Sequence, residues 1–138
     1  MLLYDGTCGV CAKSVQWVLR HERSSRTHRS LRFASLQGPL AQRVIAAHAE
    51  LRGVDSVIWY EPATDTEAER ILVRSSAVIA VGRYLGGVWR MLAAIGSVVP
   101  RPVRDGAYDF IARHRYSIAG MAPACLVPSP EQRARFVE

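Results

Sequence analysis

Two cysteines separated by two residues, Cys8 and Cys11, close the run Asp5-Gly6-Thr7-Cys8-Gly9-Val10-Cys11. On a helix, positions i and i+3 share a face, so the two sulfurs can approach bonding distance within the first turn, and Gly9 lets the backbone turn tightly between them. Such a pair suits thiol-disulfide exchange. At a helix start Cys8 would meet the positive end of the helix dipole and unpaired backbone N–H groups. Both stabilise a thiolate and can bring a cysteine pKa from about 8.5 to about 7 or below. Cys11, on an apolar stripe with Val15 and Val18, is expected to be the more buried of the two and to act as the resolving thiol. Cys8 would then attack a substrate disulfide and form a mixed disulfide, and Cys11 would displace the reduced product to leave Cys8–Cys11 oxidised. A reductant must reset the pair.

Asp5 stands three residues before Cys8. Two roles suit it: accepting N–H bonds as a helix cap, or handling the proton of a buried thiol through water. The cysteine spacing also supplies half of a zinc site, yet there is no second close pair. Cys125 and one of His21, His28, His48 or His114 would have to complete four-coordination from distant sequence. Structural zinc and inert core cysteines are therefore minor readings, and neither a metal nor a cofactor is expected.

The elements that must position this segment can be read in outline. Met1 to Tyr4 is an apolar run stopped by Asp5-Gly6, the stub of a buried strand. From Gly9 or Val10 to about Glu22 the pattern is that of an amphipathic helix. Leu31 to Ala34 predicts a second strand, and Gly38-Pro39 followed by Leu40, Val44, Ile45 and His48 predicts a Pro-started helix. Val57 to Tyr60 and Arg70 to Arg74 flank a turn-rich segment and should pair as an antiparallel hairpin. Ser75-Ser76 can cap a helix carrying Val78, Val81 and Leu85, which Gly86-Gly87 separates from another with Trp89, Leu92 and Ile95. A last long helix begins near Pro102, carries Val103, Ala107, Phe110 and Ile111 on one face, and places Arg113, His114 and Arg115 where its dipole favours cations. Beyond Gly120 the chain reads as a Pro-punctuated tail with Cys125 and a helical turn at Glu131 to Phe136.

At 138 residues, 49% hydrophobic and 22% charged, the chain has the size and balance of one globular domain that needs no disulfide or metal staple. Residues 77–99 are apolar enough to raise a membrane span. Arg83 and Arg90 lie within them, however, each costing about 2.5 to 3.5 kcal/mol at a bilayer centre, and two core-facing helices are expected instead. Trp17, Trp59 and Trp89 are expected in ordinary core or near-core packing. The net charge of +6 comes from scattered arginines and a single lysine, Lys13, without the interleaved aromatics of a base-stacking platform. No specific nucleic acid is expected as a partner. Three cysteines and no visible export signal point to a reducing cytoplasm.

The motif Asp5-x-x-Cys8-x-x-Cys11 resembles that of the DCC family of predicted thiol-disulfide oxidoreductases. The likeness continues through Ser76-Ala77, Gly86-Gly87, Pro100, Tyr108, Ala112-Arg113-His114-Arg115-Tyr116, Gly120 and Cys125. The resemblance implies a thioredoxin-like fold and disulfide reductase-type activity, with no substrate to carry over. Compared with thioredoxin itself, Thr7 stands where a Trp usually precedes the first cysteine, Val10 replaces the Pro between the cysteines, and no Pro occurs between Gly53 and Tyr60. A small-molecule disulfide or one dedicated partner therefore stands beside general protein disulfides as substrate.

The reading as a whole is an α/β protein with a thioredoxin-like β-α-β-α-β-β-α core and additional C-terminal helices. Residues 1–138 form one domain: a redox-motif half with the strands (1–76), the C-terminal helices (77–120) and a tail (121–138). Its function is thiol-disulfide exchange, served by an unidentified thiol reductant. The rival is a non-enzymatic redox switch or metal clip, in which the helices from Ala77 to Tyr116 bind a membrane face or a partner protein. Cys125 is expected to be structural, burying its side chain to pin the tail, rather than a second resolver.

Overall fold

The computed structural model describes residues 1–22, 31–119 and 130–137. Four strands, β1 (Leu2–Tyr4), β2 (Phe33–Ser35), β3 (Ile58–Glu61) and β4 (Arg70–Val73), form one sheet in the order β2-β1-β3-β4. β1 runs parallel to β2, with Leu3 opposite Ala34, and antiparallel to β3, with Leu3 opposite Ile58; β3 and β4 are the expected hairpin. A parallel pair needs a crossover, and α1 (Gly9–His21) supplies it. Next come α2 (Pro39–Ala47, with Pro39 in its first turn), a 3-10 turn at Ala49–Leu51, then α3 (Arg74–Leu85), α4 (Gly87–Val98), α5 (Arg101–Ala119) and the short α6 (Pro130–Arg133). This is the thioredoxin-like α/β arrangement with added helices.

Alternation along the strands sorts the core onto two faces. Leu2, Phe33 and Trp59 pack with Val15 and Val18 of α1 and Ala77, Ala80 and Leu85 of α3. Their neighbours Leu3, Ala34 and Ile58 face the other way, onto Ala41 and Val44 of α2 and onto Leu51. A period of two along a strand requires this division.

Three local expectations need correction. The third helix begins at Arg74 rather than at a serine cap: Val73 is its N-cap without a side-chain bond, and Arg74 takes a left-handed φ of 53° to turn strand directly into helix. Ser75 is buried and spends its hydroxyl on Asp105 of α5. The pair of core-facing helices holds only for α3. α4 buries Ala93 alone and leaves Val88, Met91, Leu92, Ile95 and Val98 exposed, while α5 exposes Val103, Phe110 and Ile111. Of the tryptophans, Trp59 is core, whereas Trp17 is exposed and meets Trp89 edge-on at 4.5 Å. The approach of α4 to α3 is close because Gly82 has no side chain, since a Cβ there would sit 2.9 Å from the Ala93 methyl.

The C-terminal segment returns to the sheet edge. Phe33 donates its N–H to the Arg135 carbonyl at 2.9 Å and accepts that of Val137 at 2.8 Å, and the Arg135 guanidinium binds Glu22 and the Leu31 carbonyl. Cys125 and Gly120 lie outside the described residues.

The hairpin is tied to the end of α2 by His48, which meets Glu69 at 2.8 Å while Tyr60 donates its hydroxyl to the same carboxylate. The bonds to the Val44 carbonyl and to Glu69 raise the His48 pKa above 6.5, and the bonds from Tyr60 and His48 lower Glu69 below 4.5. His48's contribution to stability is complete below 6.5 and is lost as pH rises through its raised folded value. That of Glu69 is complete above 4.5 and is lost as pH falls through its lowered value. The melting-temperature difference between wild type and His48→Gln is therefore expected to be widest between these limits and to narrow by pH 9. A difference independent of pH would contradict the ion pair.

Candidate functional site

The loop from β1 into α1 is held by one carboxylate. Asp5 Oδ1 accepts the Thr7 N–H at 2.9 Å, the Thr7 hydroxyl at 2.7 Å and the Gln37 amide at 2.9 Å. Its backbone carbonyl accepts the Cys8 N–H at 3.3 Å. Asp5 thus closes the turn ahead of the helix and is not its cap; the N-cap is Cys8 itself, in extended conformation and without a side-chain cap bond. A Cβ at Gly6 would lie 2.8 Å from Ser35 Oγ, so a side chain there would have to displace that hydroxyl.

Cys8 and Cys11 are both thiols, close enough for the Cys11 side chain to hydrogen-bond Cys8. Burial first, then that bond, pushes the Cys11 thiol from 9.0 up to about 12. The negative charge of Asp5 acts in the same direction and the positive charge of Arg115 against it. The order of exposure is the reverse of the sequence expectation. Cys8 is fully buried, while Cys11 is half-buried, because α1 turns Gly9, Ala12, Val15 and Val18 inward. The apolar stripe is set one step off Cys11.

α5 completes the site. Its Arg115, 4% exposed, reaches Asp5 Oδ2 at 3.4 Å, the Asp55 carboxylate at 2.6 Å and the Asp55 carbonyl at 3.2 Å. The Asp5–Arg115 pair is buried on both sides, whereas Asp55 is largely exposed. Two turns earlier Tyr108 accepts the Val57 N–H at 3.2 Å, and burial raises its phenol above 10.0. Arg115 therefore does not serve the helix C-terminus, since α5 continues to Ala119. Sequence reasoning assigned Arg115 to the dipole and missed Asp55 and Gln37. The available signal was an arginine on the same helical face as Tyr108 and Ala112, opposite Val103 and Phe110.

Beyond Arg115 lies an open cleft of about 620 Å³ between residues 52–56 and α5, lined by Arg52, Asp55, Tyr108, Arg113 and Arg115 among others, but by neither cysteine. Among the described residues, no group of three or more histidine, cysteine, aspartate or glutamate side chains comes together to hold a metal ion, and no helix is long and apolar enough to cross a membrane.

A four-stranded sheet whose first crossover helix opens on a Cys-x-x-Cys pair defines a thioredoxin-like protein with two free thiols at the start of that helix. The chain belongs to the DCC1-like thiol-disulfide oxidoreductase family, whose model matches residues 2–121. It is 32% identical over 138 residues to "Uncharacterized protein YuxK" of Bacillus subtilis (strain 168), covering 99% of this chain and 93% of that protein. It is 28% identical over 126 residues to a chloroplastic DCC family protein of Arabidopsis thaliana, covering 91% of this chain and 67% of that protein. No solved structure matches.

Proposed function

We propose that the protein reduces disulfides in a reducing compartment such as the cytoplasm, with Cys8 attacking and Cys11 resolving. The observation that carries this assignment is the place of Cys8 as N-cap of α1, where the positive helix end favours a thiolate, beside a Cys11 thiol that burial and its hydrogen bond to Cys8 push up. A thiolate is the nucleophile in exchange, so the partner that accepts a hydrogen bond is favoured to attack over the one that donates it. Cys8 is buried, so docking of the substrate must expose its sulfur before the reaction begins.

The Cys8 thiolate attacks one sulfur of the substrate disulfide, the S–S bond breaks, and one substrate thiolate leaves and takes up a proton. Cys11 then gives up its proton and attacks the Cys8 sulfur of the mixed disulfide, releasing the second substrate thiol and leaving Cys8–Cys11 oxidised. An external thiol reductant supplies two electrons to restore the dithiol. Asp5 holds the turn that sets Cys8 at the helix start, so it acts as a positioning residue.

The non-enzymatic reading, a redox switch or metal clip, is separated from this one by a single preparation. Protein purified under reducing conditions is expected to reduce insulin or a small-molecule disulfide catalytically with a defined reductant and to carry no stoichiometric metal. Bound zinc without turnover would favour the clip.

A further inference from the structure

We infer that the exposed apolar face of α4, with its flanking arginines, docks on an anionic phospholipid surface. The face is unusual for a helix attached to a globular core. α4 packs through Ala93 and Trp89 against α3 and through the Trp89 ring against Trp17 and His21 of α1. On its opposite side Val88, Met91, Leu92, Ile95 and Val98 recur at the helical period, with Ile95 60% and Val98 84% exposed. Exposed apolar side chains scattered singly are normal, but a contiguous stripe of five on one helix marks an interaction surface. Val99, just before Pro100, and Val103, just after it, are exposed as well.

Charge selects the occupant. Between Glu69 and Asp105 the sequence contains no acidic residue, and every charge is an arginine: Arg70, Arg74, Arg83, Arg90, Arg101 and Arg104. Arg83, Arg90 and Arg101 are exposed on or beside α4, and Arg83 and Arg90 have no ion pair among the described residues. A second copy of the chain would present a segment of the same positive sign, which opposes association. An aliphatic helix face with Arg90 on the same helix and Arg83 of α3 and Arg101 of α5 beside it matches the interface of a bilayer, where the apolar side enters about 5–10 Å and the cations meet lipid phosphates. The attachment is peripheral and does not depend on the thiol chemistry.

The test uses the intact chain with extruded vesicles. Sedimentation is expected to recover the protein with equimolar phosphatidylcholine and phosphatidylglycerol at low salt, at least tenfold more weakly with phosphatidylcholine alone, and to weaken as salt rises. The double variants Ile95→Glu/Val98→Glu and Arg83→Glu/Arg90→Glu should each lower binding at least tenfold while leaving the melting temperature and disulfide turnover near wild type, since all four side chains are solvent-exposed. Absence of binding to the anionic vesicles at low salt would overturn the inference. So would binding indifferent to Ile95→Glu/Val98→Glu, or a wild-type dimer that the same substitutions convert to monomer.

Discussion

Cys8→Ser is expected to abolish disulfide turnover, leaving less than about 1% of wild-type activity, because the hydroxyl that replaces the thiol cannot be a nucleophile in exchange. The remaining Cys11 cannot substitute efficiently. Burial, the first cause that pushes the Cys11 thiol up, persists in the variant and keeps Cys11 largely protonated at neutral pH. Cys11→Ser should behave differently. It retains the attacking thiol but lacks the resolver, so it should release one equivalent of substrate thiol and then stall as a mixed disulfide linked to Cys8, detectable by intact mass before and after reductant. From cell extract the same variant should retain its physiological substrate covalently. Stalling of Cys8→Ser with substrate on Cys11, with Cys11→Ser inert, would reverse the assignment.

That experiment also decides between two signals that the structure sets against each other. Exposure alone favours Cys11, which is half-buried while Cys8 is covered. Proton location favours Cys8. The second outweighs the first because a side-chain or loop rearrangement that uncovers a sulfur occurs once per docking event, whereas a protonated thiol lowers every attack by the thiolate fraction.

The redox half of the fold was legible because its signals are local. Asp5-Gly6 stops a strand, the cysteine pair opens a helix, Pro39 starts another, and alternation divides Leu2 from Leu3 and Ile58 from Trp59. The C-terminal helices were recognisable as helices but not as faces. An apolar stripe normally marks the buried side, and α5 inverts the rule by burying Arg115 and half-burying Tyr108 while exposing Val103 and Phe110. What compensates the inversion is a long-range partner 110 residues away in sequence, Asp5, and no periodicity in either segment announces that contact. The position of Cys11 relative to its stripe was off for a smaller reason: Ala12 rather than Cys11 lies on the inward face with Val15, a rotation of one residue along α1.

The buried Asp5–Arg115 pair therefore joins the C-terminal helices to the redox loop, and its removal is expected to cost more stability than any surface change. Arg115→Met keeps much of the side chain's length and apolar stem but withdraws the guanidinium from a carboxylate whose side chain is 6% exposed. Breaking one half of a buried pair typically costs about 3–5 kcal/mol, a large share of the roughly 5–15 kcal/mol that holds a domain folded. Urea unfolding is expected to show a deficit of this size, and Arg115→Lys, which keeps a cation, should recover part of it; a deficit below about 1 kcal/mol, the range of an exposed pair, would contradict the buried pair. Arg115 also favours the Cys11 thiolate electrostatically, so in the same variant the resolving step should slow more than the initial attack. The mixed disulfide with Cys8 should build up during turnover, and Arg115→Lys, which restores a cation, should reduce that build-up.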